Sequence, residues 1–177
     1  MRRITVLSLS VLLLAATVSA QDSAKKPPLS PPAKAEAKIG NANITIDYSA
    51  PSMRGRTIMG ELVPYGKVWR TGANAATTLK SDTDLMIGNL HVPAGTYSLF
   101  TVPGEKEWVL IVSKQTGQWG SGKYDQAQDL GRVPMTVKAT DAPVETFKIG
   151  VKSKDASSGS ITLAWENVKA SVPLMVH

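Results

Sequence analysis

TYSLFTVPGEKEWVLIVS, residues 96–113, holds two apolar runs on either side of a Pro-Gly break. Pro93-Ala94-Gly95 and Pro103-Gly104 bracket TYSLFTV as turn signals, and apolar runs of this length between glycine and proline breaks read as strands. WVLIVS, starting at Trp108, is apolar on both faces, so it is expected to lie centrally in a sheet.

The same period of two continues outward. Ile44, Ile46 and Tyr48 alternate with Thr45 and Asp47, and the pattern returns at Val133, Met135, Val137 and at Phe147, Ile149, Val151. LMIGNLHV places two apolar triplets around Gly88 and Asn89, residues that tolerate the positive φ of a tight hairpin turn. Ile161, Leu163 and Trp165, then Val168, Ala170, Val172 and Leu174, suggest a terminal hairpin with Glu166 and Asn167 at its turn or bulge. The only helical candidate is a short turn around Thr57–Leu62. About nine strands follow, and the fold class expected is all-β, an antiparallel β-sandwich or barrel-like domain.

The start, MRRITVLSLSVLLLAATVSAQ, has a basic end, an apolar run from Val6 to Val18 and small residues before Gln21. These are the three regions of a cleavable secretory signal, assigned to residues 1–20, and the run is short for a bilayer span. No membrane span is expected after cleavage, and the protein is expected in the periplasm or outside the cell. Residues 21–37, QDSAKKPPLSPPAKAEA, are rich in proline, alanine and lysine without an aromatic residue, and are expected to be a disordered linker. Residues 38–177 are expected to form one domain, large enough for its own core. The chain has no cysteine, so neither a disulfide framework nor thiol chemistry is available.

GRTIMGELVPYGKVWRTGANAATT, followed by AGTYSLFTVPG, EWVLIV, TGQWG and PVETF, resembles DUF2911, a family of secreted bacterial domains of unknown function. The resemblance runs from about Tyr48 to Val172. It implies a small secreted all-β domain and carries no activity, cofactor or catalytic residue.

Net charge is +6, and loss of Arg2 and Arg3 with the signal leaves 18 basic against 14 acidic residues, or +4. Residues 51–80 hold Arg54, Arg56, Lys67, Arg70 and Lys80 against Glu61 alone, whereas residues 81–177 hold nine basic and ten acidic residues. The excess is concentrated in the segment containing PYGKVWRTGAN, where Gly66 and Gly72 allow close backbone approach. Arg54, Arg56, Lys67 and Arg70 offer charge for a small anionic or polar ligand, Asn74 a hydrogen-bonding amide, and Tyr65, Trp69 and Trp119 aromatic surface. The competing reading pairs these arginines with Asp47, Asp82, Asp84 or Glu107 as structural ion pairs. Trp119, in the glycine-rich KQTGQWGSGKYDQ, is either a ligand platform or a plug pinning its loop, the plug being the commoner use of a large aromatic. Trp108 and Trp165 fall on inward positions, and Trp69 serves as core if Arg70 faces the other way.

Catalytic chemistry is sparse. His91 and His177 are the only histidines, so no histidine metal site or triad can be assembled; no catalytic residue, metal site or cofactor is expected, and His91 is expected to face solvent. The pairs Glu105/Glu107 and Asp82/Asp84 leave carboxylate-based hydrolysis as an alternative. Basic residues form no long stripe with aromatics, which argues against nucleic acid. The leading expectation is a non-enzymatic module that binds a small anionic or polar ligand, such as a saccharide. Besides the hydrolase, an envelope interaction protein is the other alternative. Export can be checked directly: the native protein should begin at Gln21 by intact-mass measurement, and retention of Met1 would contradict it.

Overall fold

The computed structural model describes residues 27–176, so the expected signal at residues 1–20, the first residues of the expected linker and His177 lie outside the described residues. Nine strands run in chain order: β1 (Pro32–Ile39), β2 (Ala42–Ser49), β3 (Thr77–Ser81), β4 (Leu85–Ile87), β5 (Leu90–Val92), β6 (Gly95–Val102), β7 (Glu107–Ser113), β8 (Asp129–Ser153) and β9 (Ser158–Val176). They form one sheet in the order β1-β2-β3-β6-β7-β8-β9-β4-β5, every pairing antiparallel. The sheet is not closed into a barrel. It curls until β1 and β5 both approach β8, and one apolar cluster gathers inward residues from all nine strands. The all-β, antiparallel class expected from the alternation is observed, as one curled sheet, and β7 with its two-sided WVLIVS lies in its interior.

The hairpin expected at Gly88 is present. Leu85 pairs with Val92 and Ile87 with Leu90, and Gly88 adopts φ 58. A Cβ there would come within 2.4 Å of Val133 Cγ1, so backbone conformation and packing both require glycine.

Three expectations change. The stretch Ile161 to Leu174 is not a hairpin: β9 is one long strand, because both halves pair with β8, Leu163 opposite Ile149 and Ala170 opposite Val137. Glu166, with φ 53, is the bulge between the halves, and the register of β8 shifts opposite it between Ala139 and Lys148. The segment Thr57–Leu62 is not helical. Its backbone is tied elsewhere, Val63 N–H donating to the Ile58 carbonyl and Gly60 N–H to the Val63 carbonyl. Third, residues 32–37, expected within the linker, belong to β1. AKAEAK hides a period-two pattern in which alanine is the inward residue: Ala35 and Ile39 are buried while Lys34, Glu36 and Lys38 are exposed. Pro32 sits at the first residue of this edge strand, where a missing N–H breaks no ladder.

Four aromatic side chains meet at the base of the domain. Trp69 stacks on Trp165 with centroids 5.9 Å apart and planes at 18°, and meets Phe147 at 5.0 Å and Trp108 at 6.3 Å edge-on. All four are buried. Replacing Trp165 with Ala is expected to cost about 3–5 kcal/mol, by loss of transfer energy and the cavity left behind. Denaturant unfolding checks this; a loss under about 1 kcal/mol would show that the stack is dispensable.

Candidate functional site

The segment between β2 and β3 has no ladder of its own and is shaped by its side chains. Trp69 makes a one-residue bridge to β6, exchanging backbone hydrogen bonds with Thr101 at 2.8 and 2.9 Å. Its indole N–H donates to the Gly72 carbonyl at 3.0 Å, which folds the following residues back over the ring. That return demands unusual backbone: Thr71 has φ 56 and Asn74 φ 58. A β-branched residue in the left-handed region is a real outlier, and such strain persists only where surroundings impose it. Here Thr71 is fully buried, its hydroxyl 3.2 Å from Thr101 Oγ1 and its carbonyl accepting from the Thr77 hydroxyl at 2.6 Å.

Over this turn opens a cleft of about 450 Å³. Trp69 and Trp165 form its floor, Arg56, Arg70 and Asn74 its polar groups, and Leu62, Val63 and the chain at Leu29–Ser30 part of its wall. No carboxylate is among the lining residues. Trp69 and Arg70 do part company as the alternation suggests, the indole entering the core and the guanidinium lining the cleft.

Arg70 is half-buried, and its Nε is fully buried without a hydrogen-bond partner. Burial holds its pKa below the ordinary guanidinium value. Among the described residues it has no ion pair. Asp47 contacts Lys34 and Lys80, Asp82 binds Asn43 at 2.8 and 2.6 Å, and Asp84 binds His91 at 3.0 Å and the Ala94 amide. Asp47 and Asp82 thus serve lysines and Asn43 rather than the arginines. Arg56 is held instead by the Met53 and Ser52 carbonyls at 2.9 and 2.8 Å. Asn74 spends its NH₂ on the Ser30 carbonyl and the Ser49 hydroxyl, both at 3.3 Å.

The other residues expected at the site lie elsewhere. Arg54 donates to the Leu29 carbonyl and helps hold the wall without lining the cleft, and Tyr65 and Lys67 are exposed outside it. Trp119 is neither plug nor platform for this cleft. It is 74% exposed, although its loop borders the turn through Ala76 N–H to the Gln118 carbonyl at 2.9 Å and Gly120 N–H to the Asn74 carbonyl at 3.0 Å. The loop is pinned instead by Gln118, whose Oε1 accepts from the buried Ser98 hydroxyl at 3.0 Å. Nearby Tyr124 is also committed, donating to Asp129 and accepting from Arg132 at 2.7 Å; burial first, then Asp129, pushes its phenol up to about 12. His91 is exposed, as expected.

A family model described as a protein of unknown function, DUF2911, matches residues 30–174. The chain belongs to this family. The DUF2911 match begins two residues before β1 and ends inside β9, so it spans the whole sheet. No curated protein and no solved structure matches the chain.

One residue that shapes the cleft, Glu166, lies far from it in the sequence. The carboxylate of Glu166, at the β9 bulge, accepts from the amides of Ile58 and Met59 at 3.1 and 3.0 Å and so anchors the 58–63 loop that supplies Leu62 and Val63. Its signal in the sequence is a charged residue at the break in an apolar alternation. Glu166→Gln keeps one acceptor and loses the charge, and should destabilise by about 1.5–3 kcal/mol. Hydrogen exchange should speed up first at Ile58 and Met59; unchanged exchange there would disprove the anchoring role.

Proposed function

We propose that this exported domain is a non-enzymatic binding module that holds a small carboxylate or other oxyanion-bearing ligand in the cleft over Trp69. The single observation that carries the reading is Arg70: a half-buried guanidinium, its Nε desolvated and unpartnered, in a cleft with a second arginine and no carboxylate. Desolvating a charged donor without a partner costs free energy, and an oxyanion returns it through charge-assisted hydrogen bonds. Guanidinium and carboxylate match as planar forks, which favours a carboxylate over a purely neutral polar ligand. Asn74, its amide nitrogen already engaged, has its carbonyl oxygen left to accept from a ligand hydroxyl or amine. A sugar stacked on an indole face is less well supported, since Trp69 and Trp165 are buried in the core and Trp119 is outside the cleft. Hydrolysis by paired carboxylates finds no acid or base in this lining.

The stability of Arg70 variants separates ligand binding from a structural role. Arg70→Met keeps the bulk and removes the unpaired charge, so without ligand it should melt at or slightly above the parent temperature. A thermal-shift screen of small mono- and dicarboxylates, phosphate and sulfate should find a stabilising ligand for the parent. Arg70→Met should weaken it by about 1.5–3 kcal/mol, roughly ten- to a hundredfold in affinity. If Arg70→Met lowers the melting temperature and no oxyanion stabilises the parent, the guanidinium is structural and the proposal fails.

A further inference from the structure

The outer face of the β8–β9 ribbon carries a charge arrangement that the fold itself does not need. Lys138 pairs directly with Lys169 across the two strands, and both are exposed. Directly opposed residues hold their Cβ atoms about 4.5–5.5 Å apart, a position in which like charges weaken a sheet. Lys148, further along β8, is exposed on the same ribbon. The three lysines line two adjoining hollows of about 390 and 570 Å³, which share Lys138, Thr162 and Lys169. Ser160, Thr162 and Ser171 add hydroxyls to the first hollow.

Asp141 is the only carboxylate in either lining, and no carboxylate among the described residues lies within 4.0 Å of the three ammonium groups. The neighbouring acids are engaged elsewhere. Glu145 accepts from the Arg54 amide, Glu166 from Ile58 and Met59, Asp155 from Ser157 and Ser158, and Asp129 from Tyr124 and Arg132. The bulges between Ala139 and Lys148 bend the ribbon where the second hollow lies.

The geometry points to a second binding surface, separate from the Arg70 cleft: a groove along β8–β9 for a soluble anionic polysaccharide. Its sulfate, phosphate or carboxylate groups are received by Lys138, Lys148 and Lys169, and the hydroxyls of Ser160, Thr162 and Ser171 bond to the sugar or the oxyanion. Charge complementarity selects the partner, because an anionic chain relieves the Lys138–Lys169 repulsion that the fold otherwise bears. Two further features narrow it. No aromatic residue lines either hollow, which removes the stacking surface that single-stranded nucleic acid uses and the interfacial anchors that a membrane surface favours. The lysines also surround depressions, which admit a chain more closely than a flat layer of headgroups.

The probe is fluorescently labelled dextran sulfate, titrated into the exported chain at about 50 and 200 mM salt, with neutral dextran and phosphatidylglycerol vesicles alongside. Dextran sulfate should bind and weaken steeply with salt, whereas neutral dextran should not bind. The double variant K138S/K169S should lose about tenfold or more in affinity and, freed of the like-charge pair, melt no lower than the parent. Lys148→Ser alone should give a smaller loss. K114S/K123S removes the same charge from the exposed segment after β7 and should retain most of the affinity. Absence of dextran sulfate binding, equal losses in the two double variants, or binding confined to vesicles would each overturn the proposal.

Discussion

The indole of Trp69 is the piece on which the rest of the architecture turns. Its ring lies in the core against Trp165, Phe147 and Trp108, while its N–H holds the Gly72 carbonyl and its backbone is sewn to Thr101 of β6. One side chain thus ties the β2–β3 connection to β6, β7, β8 and β9. Buried aromatic pairs add to burial because their edges and faces interact favourably, and an indole N–H in the interior must find an acceptor. Satisfying that N–H with a carbonyl three residues ahead bends the chain sharply. The left-handed conformations of Thr71 and Asn74 accompany that bend.

The cleft follows from this bend. Folding the chain back over Trp69 leaves Arg70 at the rim between core and solvent, partly desolvated and with no carboxylate among the residues lining the cleft. Glu166 contributes from the far end of the chain, since its carboxylate fastens the loop that makes the opposite wall. The same residue is the bulge that lets β9 follow the curl of β8. A single irregularity in the longest ribbon therefore shapes both the curvature of the sheet and the wall of the cleft.

Charge is distributed on two scales. Along the sequence the excess falls in residues 51–80, yet in space only Arg56 and Arg70 of that segment reach the cleft. Residues 81–177 carry a nearly balanced charge, yet Glu145, Glu166 and Asp155 turn to backbone amides and hydroxyls, while Lys138, Lys148 and Lys169 are left together on one surface. A balanced count thus coexists with a locally basic surface.

The alternation of apolar and polar residues was sufficient to determine the all-β antiparallel class and the Gly88 hairpin, because period two and positive-φ turn residues are local properties of the chain. The basic excess in residues 51–80 singled out Arg56, Trp69, Arg70 and Asn74, which line one cleft, since they are close in sequence. Where short-range pattern is ambiguous, tertiary pairing decided. Ile161 to Leu174 became one strand because β8 was there to pair with both halves, and the alanines of β1 became a strand because β2 supplied their partners. Trp119 and Lys67 have residue types that suit the cleft but lie outside it, and Glu166 fastens its wall through Ile58 and Met59 from more than a hundred residues away. Residue type and spacing carry local conformation; which charges meet, which stay alone and which indole is buried depend on long-range packing, which no stretch of sequence contains by itself.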